Sequence, residues 1–334
     1  MRQQTFLKAV VFCIVIALAS QLGAQTTRRW GVYGDWLVKV SFGDRQFESI
    51  WSFSRNQEGE WTGRWISFWG VSDLKDVKYE EGQLTFSWSR QGRDGQTMST
   101  KFAGKIEQGK LTGALTSDRG ESAVEGRRSP RVPRAVGTWN MQLQMGERQF
   151  DAVLTVKAGD EGELSATWRS ERGELEISDV QYERRDLKFK MKSTNPDRQW
   201  EAAFAGAVSG DTLSGTVTSE RGEIKAEGRR VGAELIGTWD LEVTSERGTR
   251  QQRLRVEPDM SGRYGAMALE KISFEDGKVG FKMTMEFGEQ TFEMSFDGKL
   301  EEGKLTGEMT TSRGTQKITG TKVVRRSRRP RTQP

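Results

Sequence analysis

One decapeptide recurs three times along this 334-residue chain. It stands at 111–120 (LTGALTSDRG), returns at 213–222 (LSGTVTSERG) and again at 305–314 (LTGEMTTSRG), spaced by 102 and 92 residues. Spacings of that length mean one module copied three times, each copy large enough for a small core of its own. Within the motif, Leu111, Gly113 and Leu115 alternate with polar residues, which is the period of a half-buried strand. Ser117-Asp118-Arg119-Gly120 then supplies a tight turn, with Val124 and Gly126 on the return strand. An arginine in three turns offers an anion contact, yet turn chemistry alone accounts for a polar residue there.

The repeat predicts modules at 30–128, 137–230 and 237–324, with a leader at 1–24 and a basic tail at 325–334. Modules one and two align without a gap from Gly34 to about Trp88, at an offset of 103. Gly34-Asp35-Trp36 matches Gly137-Thr138-Trp139, Trp65 matches Trp168, Asp76 matches Asp179 and Tyr79 matches Tyr182. Module three opens with Gly237-Thr238-Trp239 and is about eight residues shorter, in a hairpin after Gly262. Module one divides into short alternating runs near 34–41, 46–54, 61–69, 73–80, 83–90, 97–106, 109–117 and 121–128. No stretch carries a helical period. Sequential strands with short turns are antiparallel neighbours, and eight of them leave no bare edge if they close. The predicted fold is therefore all-β: three tandem eight-stranded antiparallel up-and-down β-barrels, with two-sheet β-sandwiches as the alternative.

The opening Gly-x-Trp at Gly34/Trp36, Gly137/Trp139 and Gly237/Trp239 resembles that of the calycin group, the lipocalins, avidins and their short bacterial lipocalin-like relatives. The closing pattern from Phe102-Ala103-Gly104 through Leu111-Thr112-Gly113 to Gly126 is similar to theirs as well. The resemblance covers all three modules. It implies lipocalin-like barrels that bind a small ligand inside or at the mouth. No avidin-type ligand residue carries over to a position of this chain, so it names no ligand.

Composition removes several chemistries. The chain has no histidine, which excludes a Ser-His-Asp triad and a His-ligated zinc site. Its one cysteine, Cys13, lies in the leader, so no disulfide or thiol nucleophile is expected after processing. Carboxylates are the only acid–base groups left. Asp76 and Asp179 recur on the repeat but each precedes a Val-x-Tyr run and reads as a strand-end residue. No loop has calcium-ligand spacing and no glycine-rich phosphate loop is present. We therefore expect no enzyme, no metal and no cofactor; a carbohydrate-active enzyme using carboxylates is the weakest reading carried forward.

The leader reads as a secretory signal peptide, with Arg2 and Lys8 before the apolar run 9–19 and small residues Gly23 and Ala24 before Gln25. The eleven-residue run is too short to span a bilayer comfortably, so an uncleaved anchor is the lesser alternative. A secreted or periplasmic protein, not transmembrane after processing, is expected. The formal charge of +5 misleads: subtracting Arg2, Lys8 and the five tail arginines leaves the rest at −2, and no nucleic-acid face is indicated. The basic tail and the stretch from Arg127 to Arg134, which reads as a stiff extended linker, offer weak attraction to an anionic polysaccharide or the envelope surface, or serve only as solubilising linker and end.

Module one differs from its siblings in holding seven of the eleven tryptophans, Trp30, Trp36, Trp51, Trp61, Trp65, Trp69 and Trp88. Trp61, Trp65 and Trp69 share one parity, as do Phe47, Trp51 and Phe53, and Leu84, Phe86 and Trp88. At the matching positions module two has Leu154, Leu164, Arg172 and Met191 for Trp51, Trp61, Trp69 and Trp88. These rings either fill the barrel or line a surface that stacks on a ligand. The candidate ligand-binding residues are Trp51, Trp61, Trp65, Trp69 and Trp88. The expected function is a non-enzymatic binding protein for a small apolar molecule or a carbohydrate, bound mainly by module one. The alternative is a structural or interaction protein of the cell envelope.

Overall fold

The computed structural model describes residues 31–324 except 43–44, 92–96, 160–161, 198, 247 and 288–289. The leader with Cys13, Trp30 and the arginine tail lie outside the described residues. The first eight strands are β1 (Gly34–Phe42), β2 (Arg45–Arg55), β3 (Trp61–Ser67), β4 (Gly70–Glu80), β5 (Gln83–Gln91), β6 (Thr97–Glu107), β7 (Lys110–Ser117) and β8 (Gly120–Arg128). Each pairs antiparallel with the next, and β8 returns to β1 with Gly126 opposite Val38, closing barrel 1. Barrel 2 closes in the same way from β9 (Gly137–Met145), β10 (Arg148–Ala158), β11 (Leu164–Ser170), β12 (Gly173–Glu183), β13 (Asp186–Ser193), β14 (Glu201–Ser209), β15 (Thr212–Ser219) and β16 (Gly222–Arg230).

The third unit is nearly closed. Its strands are β17 (Gly237–Ser245), β18 (Gly248–Val256), β19 (Gly262–Tyr264), β20 (Met267–Leu269), β21 (Ile272–Glu275), β22 (Lys278–Phe287), β23 (Gln290–Glu301), β24 (Lys304–Thr311) and β25 (Gly314–Lys322). The missing residues shorten one hairpin, β19–β20, to three residues a side. On that side β18 is paired only over Leu254–Val256, and β22 is paired with β21 only over Lys278–Phe281. The remainder of both strands flanks a window in the wall.

The recurring decapeptide has a packing reason. Its glycine lies directly opposite a second glycine on the neighbouring strand: Gly113 and Gly104, Gly215 and Gly206, Gly307 and Gly298. A Cβ on Gly113 would stand 2.4 Å from the Ala103 carbonyl and 2.8 Å from the Phe102 ring. Each glycine pair thus gives a phenylalanine ring room to lie on the backbone. That ring stacks on a cross-strand partner, Phe86 on Phe102, Phe189 on Phe204 and Phe281 on Phe296, with centroids 4.8–4.9 Å apart. The motif's Ser or Thr then closes the turn: its hydroxyl accepts from the turn's Arg N–H and donates to the Gly carbonyl, as Ser117 does with Arg119 and Gly120. The turn arginines Arg119, Arg221 and Arg313 are exposed.

A second repeated device plugs one end of each barrel. The Gly-x-Trp indole is fully buried and donates to the carbonyl four residues earlier: Trp36 to Val32, Trp139 to Ala135, Trp239 to Leu235, at 2.8–2.9 Å. A cation from the last strand lies over each ring, Arg128 at 4.8 Å, Arg230 at 3.9 Å and Lys322 at 5.7 Å. The same cations donate to carbonyls of the lead-in segment, Arg128 to Gly31 and Tyr33, Arg230 to Arg134 and Val136, Lys322 to Ala233 and Glu234. Of the stretch read as a linker, Arg127 and Arg128 belong to β8. Ala135 and Val136, which follow that stretch, are fully buried, because an apolar lead-in under the barrel removes its surface from water.

Two further expectations are corrected. Asp76 and Asp179 do not end strands; each sits within one, at a β-bulge with φ of 53° and 55°. Asp76 accepts from the Ser87 hydroxyl and Asp179 pairs with Lys190, so both carboxylates are engaged by the neighbouring strand. Strand β3 also ends at Ser67 and not at Trp69. Ser67 makes the same hydroxyl-closed turn as Ser117, with Trp69 N–H donating to its Oγ. Trp69 is thus a turn residue, 59% exposed, and does not share the inward face of Trp61 and Trp65.

Candidate functional site

Barrel 1 is organised around Trp51, which is fully buried. Its ring meets Phe86 and Phe102 edge-on at 4.9 Å and lies 5.3 Å from Trp65. Trp65 in turn lies 5.0 Å from Trp88, their planes tilted by 35°. The structure therefore brings together three of the five candidate tryptophans, Trp51, Trp65 and Trp88, in one inward stack. Trp65 and Trp88 are only partly buried and lie towards the end away from the Trp36 plug. Strand pairing explains the meeting, since Trp65 is directly opposite Trp51.

The other two stand apart from that stack. Trp61 begins β3 at the plugged end, edge-on to Tyr79 at 5.9 Å and under the Arg55 guanidinium at 4.3 Å. Trp69 packs beside Phe68 at the tip of the β3–β4 turn, 5.1 Å between rings.

Buried polar atoms without a hydrogen-bond partner among the described residues of this barrel include Trp51 Nε1, Trp88 Nε1 and Ser49 Oγ. Ser49 and Trp51 alternate on the inward face of β2, opposite Val38 and Trp36. An indole N–H is a donor only, so two of the three atoms call for an acceptor. A buried donor left unpaired costs about 1–3 kcal/mol. Ser49 was not singled out from the sequence; its signal is that module two has Ala152 at the matching position.

The outer face of barrel 1 is also unusual. Ile50 and Ile66 point outwards yet are buried, because Ala266 of barrel 3 covers them, with Leu37 and Val71 at the margin. Around this apolar patch Arg253 donates to both Asp35 carboxylate oxygens at 3.3 Å and to Ser52, and Arg64 pairs with Asp240 at 3.1 Å. Burial alone would raise the Asp35 carboxyl, but the Arg253 charge, hydrogen bonds from Ser52 and Arg253, and the Arg255 charge hold it below the ordinary carboxylate range. The matching face of barrel 2 carries Asn140, Val153, Arg169 and Glu174 for Leu37, Ile50, Ile66 and Val71, and forms an open groove. Among the described residues no group of three or more acidic, histidine or cysteine side chains is arranged to hold a metal ion, and no helix is long and apolar enough to cross a membrane.

No protein-family model and no curated protein matches the chain. Among solved structures it is similar to a Bacteroides fragilis protein described as an outer membrane protein, at 14% identity over 59% of this chain and 94% of that one, TM-score 0.23. It is also similar to transferrin binding protein B of Haemophilus parasuis, at 10% identity over 87% of this chain and 76% of that one, TM-score 0.19. A Nostoc punctiforme protein of unknown function aligns at 10% identity over 87% of this chain and 96% of that one, TM-score 0.18. At these TM-scores the likeness carries no argument about what this chain binds.

Proposed function

We propose that the protein is a non-enzymatic binding protein, secreted or held in the cell envelope, whose barrel 1 takes a small, largely apolar ligand at the Trp51–Trp65–Trp88 stack. The observation that carries this reading is the set of buried donors without acceptors, Trp51 Nε1 and Trp88 Nε1 beside Ser49 Oγ, in the most aromatic of the three barrels. The ligand chemistry follows: a flat apolar body to stack on Trp65 and Trp88, and an oxygen acceptor to meet the indole N–H groups. A small quinone has both. A sugar ring offers a similar apolar face with many more polar groups than the site can satisfy. The resemblance to calycins agrees with an internal ligand. The arginine tail would add attraction to an anionic envelope surface.

Tryptophan quenching by a small quinone such as menadione, with a soluble oligosaccharide as the comparison, tests the reading on the full mature chain. Saturable quenching by the quinone is expected. Trp88→Phe keeps a ring and removes the N–H, and should weaken binding about tenfold. Equal affinity in wild type and Trp88→Phe would defeat the reading.

A second reading, an envelope interaction protein, is favoured by one observation: the groove on the outer face of barrel 2, lined by Asn140, Asp151, Arg169, Glu227 and Arg229, is bordered by barrel 2 alone, whereas the matching groove of barrel 1 is bordered by Arg263 and Ala266 of barrel 3. It predicts loss of partner capture on charge reversal at Arg169 with quinone binding unchanged.

A further inference from the structure

The outer groove of barrel 1 and that of barrel 2 match position by position, and only the first has a neighbour among the described residues. In barrel 1 the short β19–β20 hairpin borders the groove with Arg263 and Ala266. The contact is close: the Gln252 side-chain amide donates to the carbonyls of Ser67 and Phe68 at 3.1 and 3.0 Å, and a Cβ on Gly265 would stand 2.6 Å from the Ser67 carbonyl. The hairpin also brings a cation to an acid of the groove. Burial lowers the Arg263 guanidinium from its ordinary value, and the Glu48 charge opposes that.

Barrel 2 keeps the acids and loses the lysines. Asp151 stands for Glu48 and Glu227 for Glu125, while Gln142 replaces Lys39 and Thr212 replaces Lys110. Glu171 is added where barrel 1 has Phe68, and Arg169 where it has Ile66. A groove with three cations and two acids in barrel 1 therefore has two cations and three acids in barrel 2. Asp151, Glu171 and Glu227 are exposed. The ion pairs of barrel 2 among the described residues engage other carboxylates, Glu174, Asp179, Glu201 and Asp211.

The last described strand finishes beside this groove. β25 ends at Lys322, whose ammonium donates to the carbonyls of Ala233 and Glu234 in the segment joining barrels 2 and 3. Burial lowers that ammonium from its ordinary value and the Asp211 and Glu234 charges oppose this, so Asp211 is within electrostatic reach. Asp211 immediately precedes Thr212, the groove residue at the plugged end. From there the groove runs to Glu171, in the β11–β12 turn at the other end. The sequence that follows Val324 carries five arginines within 325–331. Seven extended residues match the length of β11, which has seven.

We propose that residues 325–331 lie along the outer groove of barrel 2, entering beside Asp211 and setting their arginines on Glu227, Asp151 and Glu171. The planar guanidinium fork suits carboxylates, and several weak exposed pairs on one tethered segment act together. The arginine tail then takes the place on barrel 2 that the β19–β20 hairpin has on barrel 1. The proposal is independent of the barrel 1 ligand. It makes the groove of the second reading one that a partner must clear first.

The test is disulfide trapping in the full mature chain, whose leader carries the single cysteine, Cys13. Ser170→Cys in the groove is paired with Thr332→Cys in the tail. The comparison pair joins Thr332→Cys to Lys188→Cys, exposed on β13 at the far side of barrel 2. Intramolecular bond formation under dilute oxidant, read by mass spectrometry, should be about tenfold faster for the groove pair. Asp151→Lys with Glu227→Lys should remove that advantage, as should about 1 M salt, where charges are screened beyond ~3 Å. Equal rates for the two pairs, or a groove rate unmoved by the double reversal, would overturn the proposal. A bond that joins two chains would also overturn it, placing a second copy on the groove.

Discussion

Barrels 1 and 2 share a frame and differ in what that frame carries. Both have the plugged Trp end, the opposed glycines, the stacked phenylalanine pair and the bulged aspartate. Inside, barrel 1 has Trp51 and Trp88 where barrel 2 has Leu154 and Met191, and both leucine and methionine are buried there. Outside, barrel 1 presents Leu37, Ile50 and Ile66 to barrel 3, while barrel 2 presents Asn140, Val153 and Arg169 to an open groove. Closing the barrel therefore does not require the tryptophans, and folding does not require the apolar outer face. Those two departures are a stack with unpaired donors, where the proposed ligand would sit, and an apolar face that docks on barrel 3.

The comparison predicts where equivalent changes agree and where they part. In the shared frame they agree. Gly113→Ala in barrel 1 and Gly215→Ala in barrel 2 each force a methyl into backbone and phenylalanine, and each should cost more than about 3 kcal/mol, read by denaturant unfolding. A mild effect in one barrel alone would show that the frames are not equivalent. On the docking face they part. Arg253→Ala leaves the Asp35 carboxylate largely buried without its partner, and should lower stability by about 3 kcal/mol and separate the unfolding of barrels 1 and 3. Ile66→Ala removes covered apolar surface and should cost about 2 kcal/mol. Arg169→Ala, at the matching position of barrel 2, should leave the melting temperature unchanged, since its side chain is solvated.

The smallest effect is on pH. Because the folded Asp35 value lies below the unfolded one, its contribution is fully present above the unfolded pKa of about 4 and is lost as pH falls through the folded value. Barrels 1 and 3 should uncouple progressively below about pH 4, seen as a split calorimetric transition. Asp35→Asn should remove that part of the pH dependence. A pH-independent single transition would place the coupling in the apolar patch alone.

Much of the fold was legible because the module repeats. Alternation in the decapeptide marks strands, and three copies at similar spacing mark three barrels. The turn at Trp69 was legible too: Ser67 and Gly70 stand in the spacing of Ser117 and Gly120, and reading that match would have taken Trp69 off the inward face. The bulges at Asp76 and Asp179 were hidden, since an aspartate before Val-x-Tyr looks the same at a strand end and at a left-handed bulge residue. Arg128 was hidden by its neighbours, where a run of basic residues reads as linker although its guanidinium covers the Trp36 indole, and Arg230 closes module two with nothing local to mark the Trp139 ring beneath it. The stack of Trp51, Trp65 and Trp88 follows partly from parity, but its unpaired donors depend on ring orientation. The contact of Phe68 and Asp35 with barrel 3 joins residues about 185 and 218 positions apart, beyond any local pattern.

Native mass spectrometry of the mature protein, purified from its own host with bound small molecules extracted and identified, tests the central claim most directly. The account predicts a stoichiometric adduct with an apolar body and an oxygen acceptor, lost from the Trp65→Leu, Trp88→Phe double variant while the fold is retained. A bare mass, unchanged after flat oxygen-bearing molecules are offered, would contradict a ligand site in barrel 1 and leave its tryptophans as core.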